Sequence, residues 1–309
     1  MVRQITYDGA RHMLNWPGAL DALRRGHALP RPQIADCFLG PADKTLLNRS
    51  CYIDGLGYGV KAVTVFDGNA ARGVPTVQGA MQVFAPDDGR LTAIIESRLV
   101  TEVKTAADSV LGATLLARPD SRHLLICGAG TVAESLIDAY SAIFPKLERI
   151  TLWNRTHARA QALAARHAGH RAELRAVEDL ADAAAQADII STATMARAPI
   201  LKGGWIRPGT HVDLIGAYKG DMREADDTLL QKARIFVDSR ETTIGHIGEL
   251  TIPIAAGVIS AQDVLGDFRD LIGGGVQGRA DAGDITVFKN GGGAHLDLMI
   301  ADYISHATG

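Results

Sequence analysis

Gly128-Ala129-Gly130-Thr131-Val132-Ala133 is the stretch whose residue types and spacing point most directly to chemistry. It follows the apolar run HLLIC and opens an amphipathic stretch, so a GxGxxA pattern sits at a strand-to-helix turn. Gly128 permits the tight turn, Gly130 lets the backbone approach a pyrophosphate, and Ala133 lets the helix pack closely on the sheet. The amides of the first helical turn, together with the positive helix end, stabilise the phosphates. Alone the pattern also matches ordinary turns; with a strand before it and further strands after it, a dinucleotide site is the expectation. The next apolar run ends in Trp153-Asn154-Arg155-Thr156, where an NAD-selective site carries a carboxylate for the ribose 2′-hydroxyl. No acid stands there. Arg155, with Asn154 and Thr156, suits a 2′-phosphate through a bidentate fork, so NADP(H) is preferred and NAD(H) stays possible, the alternative being a solvated turn arginine. Ser191-Thr192-Ala193-Thr194 falls at the carboxyl end of a later strand, the ligand side of a doubly wound sheet, and is expected to edge the cofactor.

These residues need elements to hold them. Short apolar runs at 123–127, 150–153, 174–177, 189–192, 211–215 and 235–238 alternate with Ala-rich helical stretches such as 158–168, which predicts successive βα units in a parallel sheet. Residues 1–112 instead combine strands at 59–66, 76–84 and 91–96 with turn signals at Asp67-Gly68-Asn69 and Asp87-Asp88-Gly89, an α+β pattern. From Asp284 the chain reads as a strand, ITVFK, a glycine cluster, and a helix over 296–306 that returns to the first domain. The expectation is a Rossmann domain at 113–284 inserted into a domain built from 1–112 and 285–309.

Composition narrows the function. The 309 residues are 47% hydrophobic and 22% charged with a net charge of −3, and no basic block offers the stripe that nucleic acid requires. No run of 18 apolar residues occurs and the start lacks a secretion-type apolar run, so a soluble cytoplasmic protein with no membrane role is expected. Cys37, Cys51 and Cys127 are widely spaced without CxxC and read as reduced, buried thiols. The histidines form no HExxH; His167 and His170 read as a solvated helix face, and no metal is expected.

Taken together, TEVKTAADSVLGATLLA, LLICGAGTVA, WNRT, HVDLIGAYKGDMREADD, VDSRE and ITVFKNGGGAHLD resemble the ornithine cyclodeaminase and mu-crystallin family in order and spacing over most of the chain. The resemblance implies that the non-Rossmann domain binds substrate and pairs into a homodimer, and that the active site lies between the domains. By position it assigns Arg31, Lys61 and Lys104 to the grip on a substrate carboxylate, with Lys61 also near the reacting carbon and nitrogen. It places Thr76, Gln78, Asn290, Gly291 and Gly292 along the pocket. Lys61 lies within the apolar strand GYGVKAVTVF, where a charge is out of keeping with ordinary surface. Two positions depart from the family pattern. Lys104 replaces an arginine by a point charge, for which Arg49 is the candidate compensation. Tyr218 stands where ornithine cyclodeaminases carry the aspartate that holds the distal amine. The implied activity is NADPH-dependent reduction of a cyclic or open imine of a small 2-oxo acid. The alternatives are ornithine cyclodeaminase, with Glu249 or another acid replacing the aspartate, and a non-catalytic nucleotide-binding protein. His246 and Glu249 read as loop polarity or substrate contacts, and Asp297, after the glycine cluster and His295, as a helix cap.

Overall fold

A computed structural model describes residues 2–309, except for the side chain of residue 70. In chain order its first elements are β1 (Arg3–Ile5), α1 (Tyr7–Ala10), α2 (Trp16–Ala28), β2 (Gln33–Leu39), β3 (Lys44–Ile53), β4 (Gly57–Phe66), β5 (Val77–Phe84), β6 (Leu91–Glu96) and α3 (Ser97–Leu116). There follow β7 (His123–Cys127), α4 (Thr131–Ile143), β8 (Arg149–Trp153), α5 (His157–Arg166), β9 (Glu173–Val177), α6 (Leu180–Gln186), β10 (Ile189–Thr192), β11 (His211–Leu214), α7 (Asp227–Lys232) and β12 (Arg234–Val237). The chain closes with α8 (Arg240–Thr243), α9 (Gly248–Ala255), β13 (Val264–Gly266), α10 (Phe268–Ile272), β14 (Thr286–Lys289) and α11 (Ala294–Ala307). Two compact units result, one running to Ala107 and resuming at Gly293–Gly309, the other Asp108–Gly292.

In the first unit six strands lie in the order β1-β6-β5-β4-β3-β2. All pairings are antiparallel except β1 with β6. Along β4 the side chains alternate, with Gly57, Gly59, Lys61 and Val63 buried and Tyr58, Val60, Ala62 and Thr64 more exposed, as a sheet covered on one face requires. The cover is α11, which packs on β2 to β5 and against α2. Helix α2 starts where the Asn15 side chain accepts the Gly18 amide at 2.8 Å and Pro17 occupies the first turn.

The second unit holds an eight-stranded parallel sheet in the order β13-β12-β14-β11-β10-β7-β8-β9. The central strands are buried on both faces, so they read as unbroken apolar runs rather than alternating ones. Leu125, Ile190, Val212, Leu214, Ile235 and Val287 form its core with helical residues such as Ala184 and Leu229. Asp179, Asp226 and Asp267 cap α6, α7 and α10 through their side chains.

Two expectations change. The sheet has eight strands rather than six, and ITVFK does not belong to the first unit: β14 inserts between β11 and β12, with all four residues buried. The boundaries accordingly fall at 107/108, inside α3, and at 292/293, rather than at 112/113 and 284/285.

β14 carries a fully buried cation. Lys289 Nζ donates to the carbonyls of Leu214 at 2.8 Å, Asn290 at 2.9 Å and Ile215 at 3.3 Å. Burial pushes its pKa down, while the carboxylates of Glu249, Glu224, Asp238 and Asp213 act the other way. Removing one partner of a buried charge cluster leaves the rest uncompensated and costs about 3–5 kcal/mol. Lys289→Met is expected to lose stability on that scale in denaturant titration; a loss below about 1 kcal/mol, ordinary for a surface change, would contradict this role.

Candidate functional site

The two glycines of the turn answer different demands, one of packing and one of open space. Gly128 has φ +136°, and a side chain there would meet the Ala193 carbonyl at 2.7 Å, so glycine is required between β7 and α4. Its amide bonds the Trp153 carbonyl at 2.8 Å, and the Ala193 amide bonds that of Cys127 at 2.7 Å, which locks the turn to β8 and β10. At Gly130 the opposite holds: nothing lies within 4 Å of an added Cβ. Gly130 is also the N-cap of α4 and no side chain caps the helix, so the amides of its first turn stay open. Open amides, a positive helix end and clear space together fit a dinucleotide pyrophosphate at this turn.

At the end of β8, Arg155 and Thr156 are exposed and Asn154 is half-buried, its side-chain amide donating to the Thr156 carbonyl at 2.9 Å. At the end of β10 the reading is corrected. Ser191 and Thr192 are completely buried, and the Ser191 hydroxyl donates to Asp213 Oδ2 at 2.6 Å, leaving Ala193 and Thr194 at the edge.

Buried carboxylates fix the loops on this side of the sheet. Glu224 accepts from the Thr194 amide (2.8 Å) and hydroxyl (2.7 Å) with one oxygen, and from the Gly216 amide (2.6 Å) with the other. Glu249 accepts the amides of Glu224 at 2.8 Å and Ala225 at 3.0 Å, and burial, reinforced by the Glu224 charge, pushes its pKa up to about 7. It lies in α9, fully buried, so it is neither loop polarity nor an acid free to hold a substrate amine. Asp238 accepts the amides of Gly291, at 2.9 Å, and Gly292. Those two glycines therefore shape the loop after β14 and have no amides left for a ligand. Asn290 donates to Ser109, which donates to Asp213, whose carboxyl burial pushes up to about 7. Tyr218 and Met195 are exposed on neighbouring loops.

The cations of the first unit converge on β4. Lys61 and Arg49 are register partners, with Lys104 close enough to repel the Lys61 ammonium. Lys61 is 6% exposed and Nζ donates to Asp297 Oδ1 at 2.7 Å. Asp297 is therefore not a cap: the N-cap of α11 is Gly293, and Asp297 lies a turn further in, completely buried. Arg49 bonds Asp36 at 2.8 Å. Lys104 is 7% exposed, yet among the described residues no hydrogen bond or ion pair holds its ammonium. Arg31 is exposed ahead of β2, Thr76 half-buried, and Gln78 exposed with its amide on the Pro75 carbonyl at 3.3 Å. Cys51 and Cys127 are buried but Cys37 is exposed, and His167 and His170 are half-buried rather than solvated.

Glu224, Asp238, Asp213 and Lys289 escape the sequence reading, as does the role of Asp297 as counter-ion to Lys61. The available signal is a charge inside an apolar run, as in TVFK and HLDLMI.

A doubly wound sheet with an open glycine turn defines a dinucleotide-binding enzyme fold. The model of the ornithine cyclodeaminase/mu-crystallin family matches residues 50–308, and the chain belongs to that family. It is a nicotinamide-dependent oxidoreductase. It is 63% identical over 301 residues to Delta(1)-pyrroline-2-carboxylate reductase of Paracoccus denitrificans, covering 97% of this chain and 95% of the relative. It is 33% identical to ketimine reductase mu-crystallin of Mus musculus, over 79% of this chain and 74% of that one. A solved structure of Thermococcus litoralis Delta(1)-pyrroline-2-carboxylate reductase, in complex with NADH and L-proline, superposes with a TM-score of 0.93 at 25% identity, covering 99% and 97% of the two chains.

The two glycines should separate fold from binding. Gly130→Val is expected to leave stability within about 0.5 kcal/mol and to weaken nicotinamide nucleotide binding about tenfold or more, read by fluorescence titration. Gly128→Val should destabilise the unit itself. Unchanged affinity in Gly130→Val would remove the nucleotide from this turn.

Proposed function

We propose that this protein is a cytoplasmic, homodimeric reductase of small cyclic imino acids, of the Δ1-pyrroline-2-carboxylate class, using NADPH in preference to NADH. The observation that carries the reading is Lys104, a largely buried side chain whose ammonium has no hydrogen bond or ion pair among the described residues, beside the Lys61–Asp297 pair. A cation on a mostly buried side chain without a counter-charge is complemented by an anion supplied from outside. A substrate carboxylate is such an anion, and the similarity to imine reductases supplies the class of molecule that bears it.

The turn of residues 128–133 with Asn154, Arg155 and Thr156 would hold the nucleotide, which when bound would supply the hydride. Lys104 fixes the carboxylate, with Arg49 and Arg31 adding positive field, which limits the orientations of the ring carbon that must accept hydride. Lys61 faces the imine and is the proton donor to its nitrogen. Thr76 and Gln78, of the same unit, border the ring. Glu249, fixed on backbone amides, is unable to serve a distal amine, which argues against cyclisation of ornithine. The NADPH preference rests on Arg155 and on the absence of an acid in Trp153–Thr156. The homodimer rests on exposed apolar residues of the first unit, Phe38 (65%), Leu39 (54%) and Val77 (46%). No helix of the described residues is long and apolar enough to cross a membrane.

Purified protein should oxidise NADPH with Δ1-pyrroline-2-carboxylate and yield proline; no turnover across cyclic imino acids would refute the reading. Lys104→Met should raise KM about 10- to 100-fold, the worth of one charge-assisted contact, with a smaller effect on kcat. Tighter binding of NADH than of NADPH would overturn the cofactor preference.

A further inference from the structure

Lys61 and Asp297 meet inside the first unit from strand β4 and helix α11, 236 residues apart in sequence. Nζ lies 2.7 Å from each carboxylate oxygen. A buried ion pair seldom adds stability over an apolar pair of the same volume, so stability alone is a weak reason for it. The surroundings also oppose the charge on Lys61. Arg49 on β3, itself bonded to Asp36 of β2, and Lys104 on α3 are both cations, and burial favours the neutral amine. The nearby Cys51 thiol is kept neutral, pushed up to about 12 by burial and then by Asp297. Asp297 is the group that acts in the opposite direction, toward the ammonium.

We propose that Asp297 is a positioning residue of the reductase site, holding Lys61 as an immobilised ammonium so that it can deliver a proton to the substrate's imine nitrogen. The inference rests on the reductase reading above. In the step it serves, hydride forms the new C–H bond at the imine carbon and the C=N π pair moves to nitrogen. That nitrogen takes a proton from Lys61 Nζ. The neutral amine left behind stays bonded to the Asp297 carboxylate, which keeps its charge throughout, and solvent restores the proton.

The test compares native protein with Asp297→Asn, Asp297→Glu and Lys61→Met, after checking that each variant melts cooperatively. Two profiles are read: kcat/KM against pH with NADPH and Δ1-pyrroline-2-carboxylate, and calorimetric affinity for the non-reducible pyrrole-2-carboxylate against pH. Without its counter-charge Lys61 loses its proton at lower pH. In Asp297→Asn the alkaline fall of both profiles should therefore move down by about one pH unit or more, and Asp297→Glu should restore much of it. In Lys61→Met the part of the alkaline affinity loss that comes from Lys61 should vanish. A folded Asp297→Asn with native profiles would overturn the proposal. If that variant does not fold, an alkaline affinity loss unchanged in Lys61→Met overturns it instead. Native protein that binds pyrrole-2-carboxylate but reduces no imine would refute the reductase reading, while the affinity profiles still decide whether Asp297 governs Lys61.

Discussion

Moving an ammonium out of water costs several kcal/mol unless something answers its charge. Among the described residues three lysine side chains are buried, Lys61, Lys104 and Lys289, and their charges are answered differently. Three carbonyls and a ring of carboxylates surround Lys289, which saturates it and makes it a keystone of the parallel sheet. Lys61 has one carboxylate, from the opposite end of the chain. Lys104 has no hydrogen-bonded or ion-paired partner among the described residues. The gradation from saturated to unanswered sets a structural cation apart from the two that the proposed function assigns to the substrate.

Rigidity at the carboxyl ends of the parallel strands has the same origin. Glu224 ties the loops after β10 and β11, Glu249 ties the segment bearing Glu224, and Asp238 ties the glycines after β14. Because these carboxylates spend their lone pairs on backbone amides, the loops are set before any ligand arrives. Preorganisation of this kind reduces the entropy lost on binding. It also excludes those residues from direct chemistry, however suggestive an acid in a loop looks.

The glycine turn was legible because each of its positions answers a local demand: a left-handed conformation at Gly128, open space at Gly130, close packing at Ala133. Lys61 stood out because a charge in an apolar strand is conspicuous without knowledge of its partner. What escaped depends on pairings distant in sequence. ITVFK follows a glycine-rich loop and precedes a returning helix, so it reads as the start of a domain, yet its neighbours are β11 and β12. Asp297 follows three glycines and reads as a cap; only the approach of β4 to α11 turns it into a counter-ion. Glu249 follows the glycine-punctuated stretch Gly245-His246-Ile247-Gly248, which reads as a loop, and its burial is set by the segment it bonds.

The most direct measurement is calorimetric titration of the nucleotide-loaded protein with L-proline and with L-prolinamide, which differ in the charge of one group. If the unpaired cation of the first unit defines the site, proline binds and replacing the carboxylate by an amide weakens binding about 10- to 100-fold, the worth of one charge-assisted bond. Equal affinities for the acid and the amide would contradict the account.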